Sequence, residues 1–369
     1  MSIDIGIVGL SKSGKTTIFN ALTRGKADTE KAAPHVGMVK VPEPRLEVLA
    51  DMLHPKRVVP IEVRYIDIGA SDRGLAKDKD SGGKWLEQFS SLTQLSSTDT
   101  LIYVVRAFHD ESIPHVEGSL DIERDIATIN LELTFSDLAL LEKRLEGIEV
   151  SLKGAKPPER SRLFQEQELL MKIKADLEKD VPVRELTLAP EEARIIANCQ
   201  LLTAKALLLL VNIGEGQLSQ ASSLEAGLSS QYSRPKCRII TLCGKLEMEL
   251  TQLEQGVANG FRAEFGLVGS GLDRIIKLSY ELLGLLSFFT IASGEVKAWT
   301  IQNGTDAAKA AGKIHSDMER GFIRAEVISY DDLVKCGSLA EARKKGLLRL
   351  EGKSYIVQDG DVITFLFNV

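Results

Sequence analysis

The chain is poor in the residues that build cross-links and structural metal sites. Its 369 residues include four cysteines, Cys199, Cys237, Cys243 and Cys336, at spacings that match neither a zinc ligand set nor a redox pair. A disulfide-framed secreted scaffold is thereby excluded, and reduced, mostly buried thiols are expected. The histidine-bearing stretches His109-Asp110-Glu111-Ser112 and His115-Val116-Glu117-Gly118 lack helical metal-ligand spacing, so no zinc site is expected either. His35 and His109 stand alone in loops, where histidine more often hydrogen-bonds or faces solvent than catalyses. Positive charge is not in excess: the net charge is −6, and contact with nucleic acid would need a local basic patch such as Arg160–Arg162 or Arg343–Lys345. Clusters of this kind are usually solvated faces.

Long apolar runs are missing too. The longest ends at Val211, far short of the ~20 residues that span a bilayer. The apolar start Ile3–Leu10 is interrupted by Asp4 and runs straight into a glycine motif, unlike a signal peptide. The expectation is a cytoplasmic protein with no membrane partner. The length exceeds one ordinary core and points to about two or three domains.

What the chain does hold is a set of short apolar, β-branched runs: Ile3–Val8, Val63–Ile66, Leu101–Val105, Ala206–Val211 and Cys237–Leu242. Helical stretches separate most of them, which predicts an α/β domain with a mainly parallel sheet and crossover helices. From Asn130 the pattern changes. Leu138, Leu141, Leu145, Ile148 and Leu152 recur at alternating spacings of three and four, a narrow seam that packs against a single partner helix. Proline in Gly154–Glu159 breaks that helix, and Leu163, Leu169, Leu170, Ile173 and Leu177 mark a second, giving an inserted antiparallel hairpin. Past Gly284, strand–strand–helix–strand signals and an Asp359-Gly360 turn within Tyr355–Phe367, read as a hairpin, predict a small α+β grasp-like unit. The expected domains are 1–129 and 196–285 for the sheet domain, 130–195 for the helical hairpin and 286–369 for the C-terminal unit.

The chemistry lies in "GLSKSGKT", Gly9–Thr16, which satisfies G-x-x-x-x-G-K-[ST] with a strand before it and a helix after. Gly9 and Gly14 permit the curve that aims backbone N–H groups at phosphate, with Lys12, Ser13 and Thr17 in the same contact set. Lys15 reaches the β- and γ-phosphates and the Thr16 hydroxyl ligates Mg²⁺. The helix N-terminus adds positive potential. Asp67, ending the strand Val63–Ile66, suits the D-x-x-G aspartate, which supports Mg²⁺ from one layer outside its direct ligands. Asn212-Ile213-Gly214-Glu215 follows the next strand but one, where N-K-x-D selects guanine, and Cys243-Gly244-Lys245 follows the last, where a base-contacting loop sits.

With these residues in order, the chain resembles the YchF/Obg-like ATPases, translation-factor-class P-loop proteins, over essentially its whole length. "VVRAFHDESIPHVEGSLDIERDI", "LELTFSDLALLEKRL", "LLGLLSFFTIASGEVKAWTI", "AAGKIHSDMERGFIRAEVISYDDL" and "LEGKSYIVQDGDVITFLFNV" carry the resemblance. It implies a P-loop GTPase-type domain, an inserted helical hairpin, a C-terminal ubiquitin-like TGS domain of β-grasp fold, association with the ribosome, and preference for ATP over GTP. The residues offer a reason for that preference: Glu215 is longer than the aspartate that accepts two guanine N–H groups, and Ile213 supplies an apolar wall in place of a lysine stem. One lost polar match in a buried site costs on the order of 1–3 kcal/mol. Glu215 as an exposed loop acid is the plain alternative.

Three departures bear on hydrolysis. The family's D-I-A-G-L stands here as Asp67-Ile68-Gly69-Ala70-Ser71, with Ala70 where a glycine N–H meets the γ-phosphate. Lys31 occupies the place of the first-switch threonine, and Thr29 substitutes only if the loop is re-registered. Lys12 replaces the asparagine that holds a cation in related potassium-activated GTPases; its ammonium either takes the cation's place or sits exposed on the loop crest. Two functions therefore stand side by side: a slow Mg²⁺-dependent ATPase with weaker GTP use, switching a monomer's binding to the ribosome and rRNA, and a nucleotide-gated binding module that does not hydrolyse. A small-molecule kinase shares only the phosphate loop.

Overall fold

The computed structural model describes residues 3–25, 34–68, 95–232, 234–292 and 294–368. Lys31, Thr29, Gly69, Ala70 and Ser71 lie outside them. The strands among the described residues are β1 (Ile3–Val8), β2 (His35–Lys40), β3 (Arg57–Val59), β4 (Glu62–Asp67), β5 (Thr100–Arg106), β6 (Ala206–Asn212), β7 (Cys237–Leu242), β8 (Leu285–Ala292), β9 (Glu295–Gln302), β10 (Phe322–Ser329), β11 (Arg349–Glu351) and β12 (Asp361–Phe367). The chain forms two compact units, Met1–Met38 with Arg64–Leu272, and Val39–Val63 with Asp273–Val369.

The first unit is built on a sheet of order β2-β4-β1-β5-β6-β7, in which β1, β5, β6 and β7 run parallel. Parallel strands are covered on both faces, so they read as unbroken apolar runs. Every residue of β5 and of β6 is buried accordingly. The glycine turn after β1 feeds α1 (Lys15–Thr23), and the ends of β4, β5, β6 and β7 carry Asp67, Arg106, Asn212 and Leu242. Carboxyl ends of parallel strands are where such sheets bind ligands.

The helix Ile122–Leu152 starts on Asp121, whose carboxylate accepts from Arg124 N. The second helix, Pro157–Leu177, has proline in its first turn, where the missing N–H is harmless. Leu141, Ile148, Leu169, Leu170, Ile173 and Leu177 are buried between them, with Leu138, Leu145, Leu152 and Leu163 at the margin. Arg144–Glu166 (2.7 Å) and Lys174–Glu142 (2.8 Å) bridge the two helices outside this seam. Asp137 fastens the long helix to the turn before β6. Its carboxylate accepts from Leu202 N (2.8 Å), Thr203 N (2.7 Å) and Thr203 Oγ1 (2.6 Å). Burial nonetheless holds that carboxyl above its ordinary range, the hydrogen bonds opposing the shift.

In the second unit the sheet order is β11-β10-β12-β8-β9-β3. It is mixed: β12 pairs parallel with β8 and antiparallel with β10. The helix Ala307–Ile314 lays the fully buried Ala307, Ala310 and Ala311 in one core with Phe288, Ile363 and Phe365. Two features depart from the expectations above. Residues 355–357 are not the first arm of a hairpin, because Ala307 N donates to Tyr355 O (2.8 Å) and Val357 N to Thr305 O (3.1 Å), consuming their ladder positions. The segment Val39–Val63, which the 1–129 division assigned to the sheet domain, packs with the C-terminal residues, adding β3 parallel to β9.

Candidate nucleotide-binding site

The turn Gly9–Thr16 is closed by its own backbone and by one ammonium. A Cβ on Gly9 would overlap the Val104 carbonyl oxygen, and Gly14 combines φ 95° with a position where a Cβ would overlap the Asn212 amide. Lys12 sits at φ 61° on the exposed crest. Lys15 Nζ donates to Gly9 O (2.9 Å) and Leu10 O (2.8 Å), so the ammonium lies within the curve of the loop, and the residue is only 6% exposed. Ser13 is buried and Thr17 half-buried beside it.

At the start of α1, Thr16 Oγ1 donates to Asp67 Oδ2 (2.9 Å). His35 Nδ1 lies 3.3 Å from the same oxygen. Asp67 is 0% exposed, and its second oxygen, Oδ1, has no hydrogen-bond partner among the described residues. A buried carboxylate left half-satisfied is costly unless a cation or its water shell completes it. This orphaned oxygen, beside a turn that Lys15 closes and that tight packing at Gly9 and Gly14 holds in shape, fits Mg²⁺ and a triphosphate.

The other end of the site hangs on Asn212. Its Nδ2 donates to Ser13 O (3.0 Å) and its Oδ1 accepts from Gly244 N (3.0 Å), so one buried amide ties the phosphate loop to the turn after β7. Glu215 Oε1 lies 3.3 Å from Lys245 Nζ, both side chains being largely exposed, and this contact raises the Lys245 pKa. Cys243 is buried, and burial pushes its thiol up. Ile213 is 2% exposed within the core that holds Val105, Leu209 and Val211. The apolar wall expected of it is therefore absent: its N–H pairs with Leu242 O (2.9 Å), extending the sheet, and its side chain packs inward.

Comparison with known proteins finds full-length relatives of this chain. Residues 285–368 match the family YchF-GTPase_C (Protein of unknown function, DUF933). The chain is 40% identical to the ribosome-binding ATPase YchF of Bacillus subtilis and 35% identical to that of Escherichia coli O157:H7, each over 100% of both chains. The solved structure of the Schizosaccharomyces pombe YchF GTPase superposes with a TM-score of 0.83 at 31% identity, covering 99% of this chain and 98% of that one. The chain belongs to the YchF family.

Within this YchF-family site, two residues stand where sequence motifs did not place them. Phe108, two residues past β5, has ring carbon Cε1 3.9 Å from where a Cβ on Gly14 would stand, and its own Cβ is 3.6 Å from that of a substituted Gly214. Its ring therefore flanks the Gly9–Thr16 turn and its Cβ the 212–215 turn. Arg106 steadies it, its guanidinium 4.4 Å from the ring centroid while Nη2 donates to Ile113 O (2.7 Å). His35 is the other. Expected in a loop, it opens β2, and only its neighbourhood in space ties it to Asp67. His109 is exposed, and His115 is spent on structure: its Nε2 meets Asp125 Oδ2 at 2.9 Å while Nδ1 accepts from Glu117 N. Among the described residues no helix is long and apolar enough to cross a membrane.

Proposed function

We propose that this YchF-family protein is a slow, Mg²⁺-dependent nucleoside triphosphatase that prefers ATP to GTP, and that its nucleotide state governs binding to the ribosome. The single observation that supports it most is the pairing of Thr16 with a buried, half-satisfied Asp67 beside a phosphate loop closed by Lys15. On binding, Lys15 exchanges the Gly9 and Leu10 carbonyls for the β- and γ-phosphate oxygens, and the loop amides take the remaining charge. Thr16 and Asp67 would hold Mg²⁺, which supplies charge neutralisation on the phosphates. Water attacks the γ-phosphorus in line and the bond to the ADP oxygen breaks. No arginine finger is evident in the sequence, so the unaided rate is low and rises with a partner.

ATP preference rests on the base end. Glu215 is longer than the aspartate that accepts from guanine and its Oε1 leans to Lys245 Nζ (3.3 Å), while both ends of the Asn212 amide are engaged by backbone, which supports a misplaced acceptor for guanine. The names of the relatives divide on this point, ATPase for the bacterial proteins and GTPase for the yeast one. The ribosome enters from the bacterial names. The helical hairpin and the C-terminal unit, read as a TGS domain of β-grasp fold, are the docking surfaces. Arg160 and Arg162 are exposed on the hairpin for rRNA, whereas Arg343 and Lys344 are already paired with Glu326 and Glu341. The protein acts as a monomer.

Calorimetric titration with ATP, GTP and their non-hydrolysable analogues, with and without Mg²⁺, tests this reading; equal affinities for the two bases would remove the preference. The departures at Lys31, Gly69 and Ala70 favour a second reading, a nucleotide-gated module without hydrolysis. Single-turnover assay with ribosomes present separates the two, since the module binds ATP and releases no phosphate.

A further inference from the structure

We propose that the helix Gln255–Glu264 presents a docking ridge for a basic amphipathic helix of a partner protein. Val257, Phe261 and Phe265 recur at spacing four, so they form one row along the helix surface. Leu253 extends the row at one end and Val268 at the other. All five residues are between 42% and 94% exposed. Single exposed apolar side chains are ordinary, whereas a contiguous row marks an interaction surface.

What the helix buries holds that row outward. Ala258 lies in one core with Leu246 and Leu250, and Arg262, one turn further on, is buried as well. Arg262 Nη2 donates to Glu247 Oε2 (3.3 Å), and Glu247 Oε1 accepts from Gly271 N (2.8 Å). The helix therefore cannot roll to hide its apolar row without separating a buried ion pair. At about 100° per residue, the row falls between this buried stripe and a second one that holds Gly256 and Gly260. A Cβ on either glycine would meet nothing within 4 Å. Glycine weakens an exposed helix, and here two of them, one turn apart, leave a groove beside the ridge. Ridge and groove along one spacing-of-four row are what a second helix packs into, crossing at about −50°.

Charge selects the partner. Within residues 246–272 the only cation is Arg262, which is spent on Glu247 in the interior. Glu249, Glu254 and Glu264 remain exposed on the segment that bears the ridge. Lys245, just before it, is held by Glu215. Carboxylates repel phosphate, which disfavours nucleic acid and anionic lipid. A second copy of the chain would set glutamate against glutamate. A helix whose apolar stripe is flanked by lysine or arginine satisfies both the ridge and its acidic rim.

The test uses the full chain and a fluorescent leucine–lysine peptide patterned as an amphipathic helix, read by fluorescence anisotropy. Two further peptides give the comparison: one of the same composition with its leucines scattered, and one with glutamate in place of lysine. The patterned basic peptide is expected to bind roughly tenfold more tightly than either. Phe261→Ser is expected to weaken its binding roughly tenfold, through loss of an aromatic anchor. Gly260→Leu is the sharper variant. It adds apolar surface, so a merely adhesive patch binds better, whereas a filled groove binds roughly tenfold worse. Circular dichroism verifies that both variants fold, and the comparison among peptides is made on the wild-type chain. No binding of the patterned peptide, equal binding of the scattered one, preference for the acidic one, or tighter binding by Gly260→Leu overturns the proposal. So does Phe261-dependent self-association in sedimentation, or Phe261-dependent binding of an RNA oligomer or of phosphatidylserine vesicles, since the occupant is then a second copy, a nucleic acid or a membrane.

Discussion

On the function proposed, the phosphate end and the base end of this site are built on different physics. At the phosphate end the contacts come from backbone curvature and from buried polar groups a few residues apart: Gly9, Leu10, Ser13, Gly14 and Lys15. Nothing there depends on long flexible side chains in water. At the base end, Glu215 and Lys245 meet in solvent, where an ion pair is worth little. Grip is local and rigid; discrimination is remote and soft. Asn212 is the bolt between them, since a single side chain bonds to Ser13 O and Gly244 N.

That contrast can be broken most severely at Lys15. Lys15→Ala removes charge-assisted bonds worth about 3 kcal/mol to the triphosphate, so ATP and GTP affinities both fall roughly 100-fold by calorimetry. Asn212→Ala strands a buried carbonyl and a buried N–H at a cost on the order of 2 kcal/mol, read as lost stability in denaturant titration. It should weaken both nucleotides alike and leave their ratio unchanged, which separates its role from base reading. Glu215→Asp acts only on the base end: the ATP-to-GTP affinity ratio moves toward GTP by up to about tenfold, within the range of one matched polar contact. The smallest effect concerns Cys243. Burial pushes its thiol up, so at about pH 8 it stays protonated and alkylates slowly in the native protein, with ATP adding little protection. Rapid labelling that ATP blocks would place the thiol in the base pocket and not in the core.

The residues differ in how far the chain alone foretold them. The spacing of Gly9, Gly14, Lys15 and Thr16 alone spells out the turn, and Lys15 closes it on its sequence neighbours Gly9 and Leu10, whereas Thr16 meets Asp67, 51 residues on. Leu141 and Ile148 were likewise foreseeable, because helical periodicity puts them on one line. Ile213 was not. Its neighbour in the motif suggested a base-facing wall, but the end of β6 turns its side chain into the core. Residues 355–357 misled for a related reason: the Asp-Gly signal is genuine, yet Thr305 and Ala307 claim the backbone that a hairpin would use.

By itself the sequence determined the glycine-framed turn Gly9–Thr16, the alternation of parallel strands with helices and the seam of the helical hairpin. Each of these follows from short-range periodicity or from backbone freedom that only glycine allows. Tertiary structure alone decided that His35 stands beside Asp67, that Phe108 flanks the loop, that Asn212 joins the two ends of the site, and that Val39–Val63 packs with the C-terminal residues. Those partners lie 32, 199 and more residues apart in the chain, and no local propensity encodes which distant backbone or side-chain atoms a fold brings within hydrogen-bonding reach.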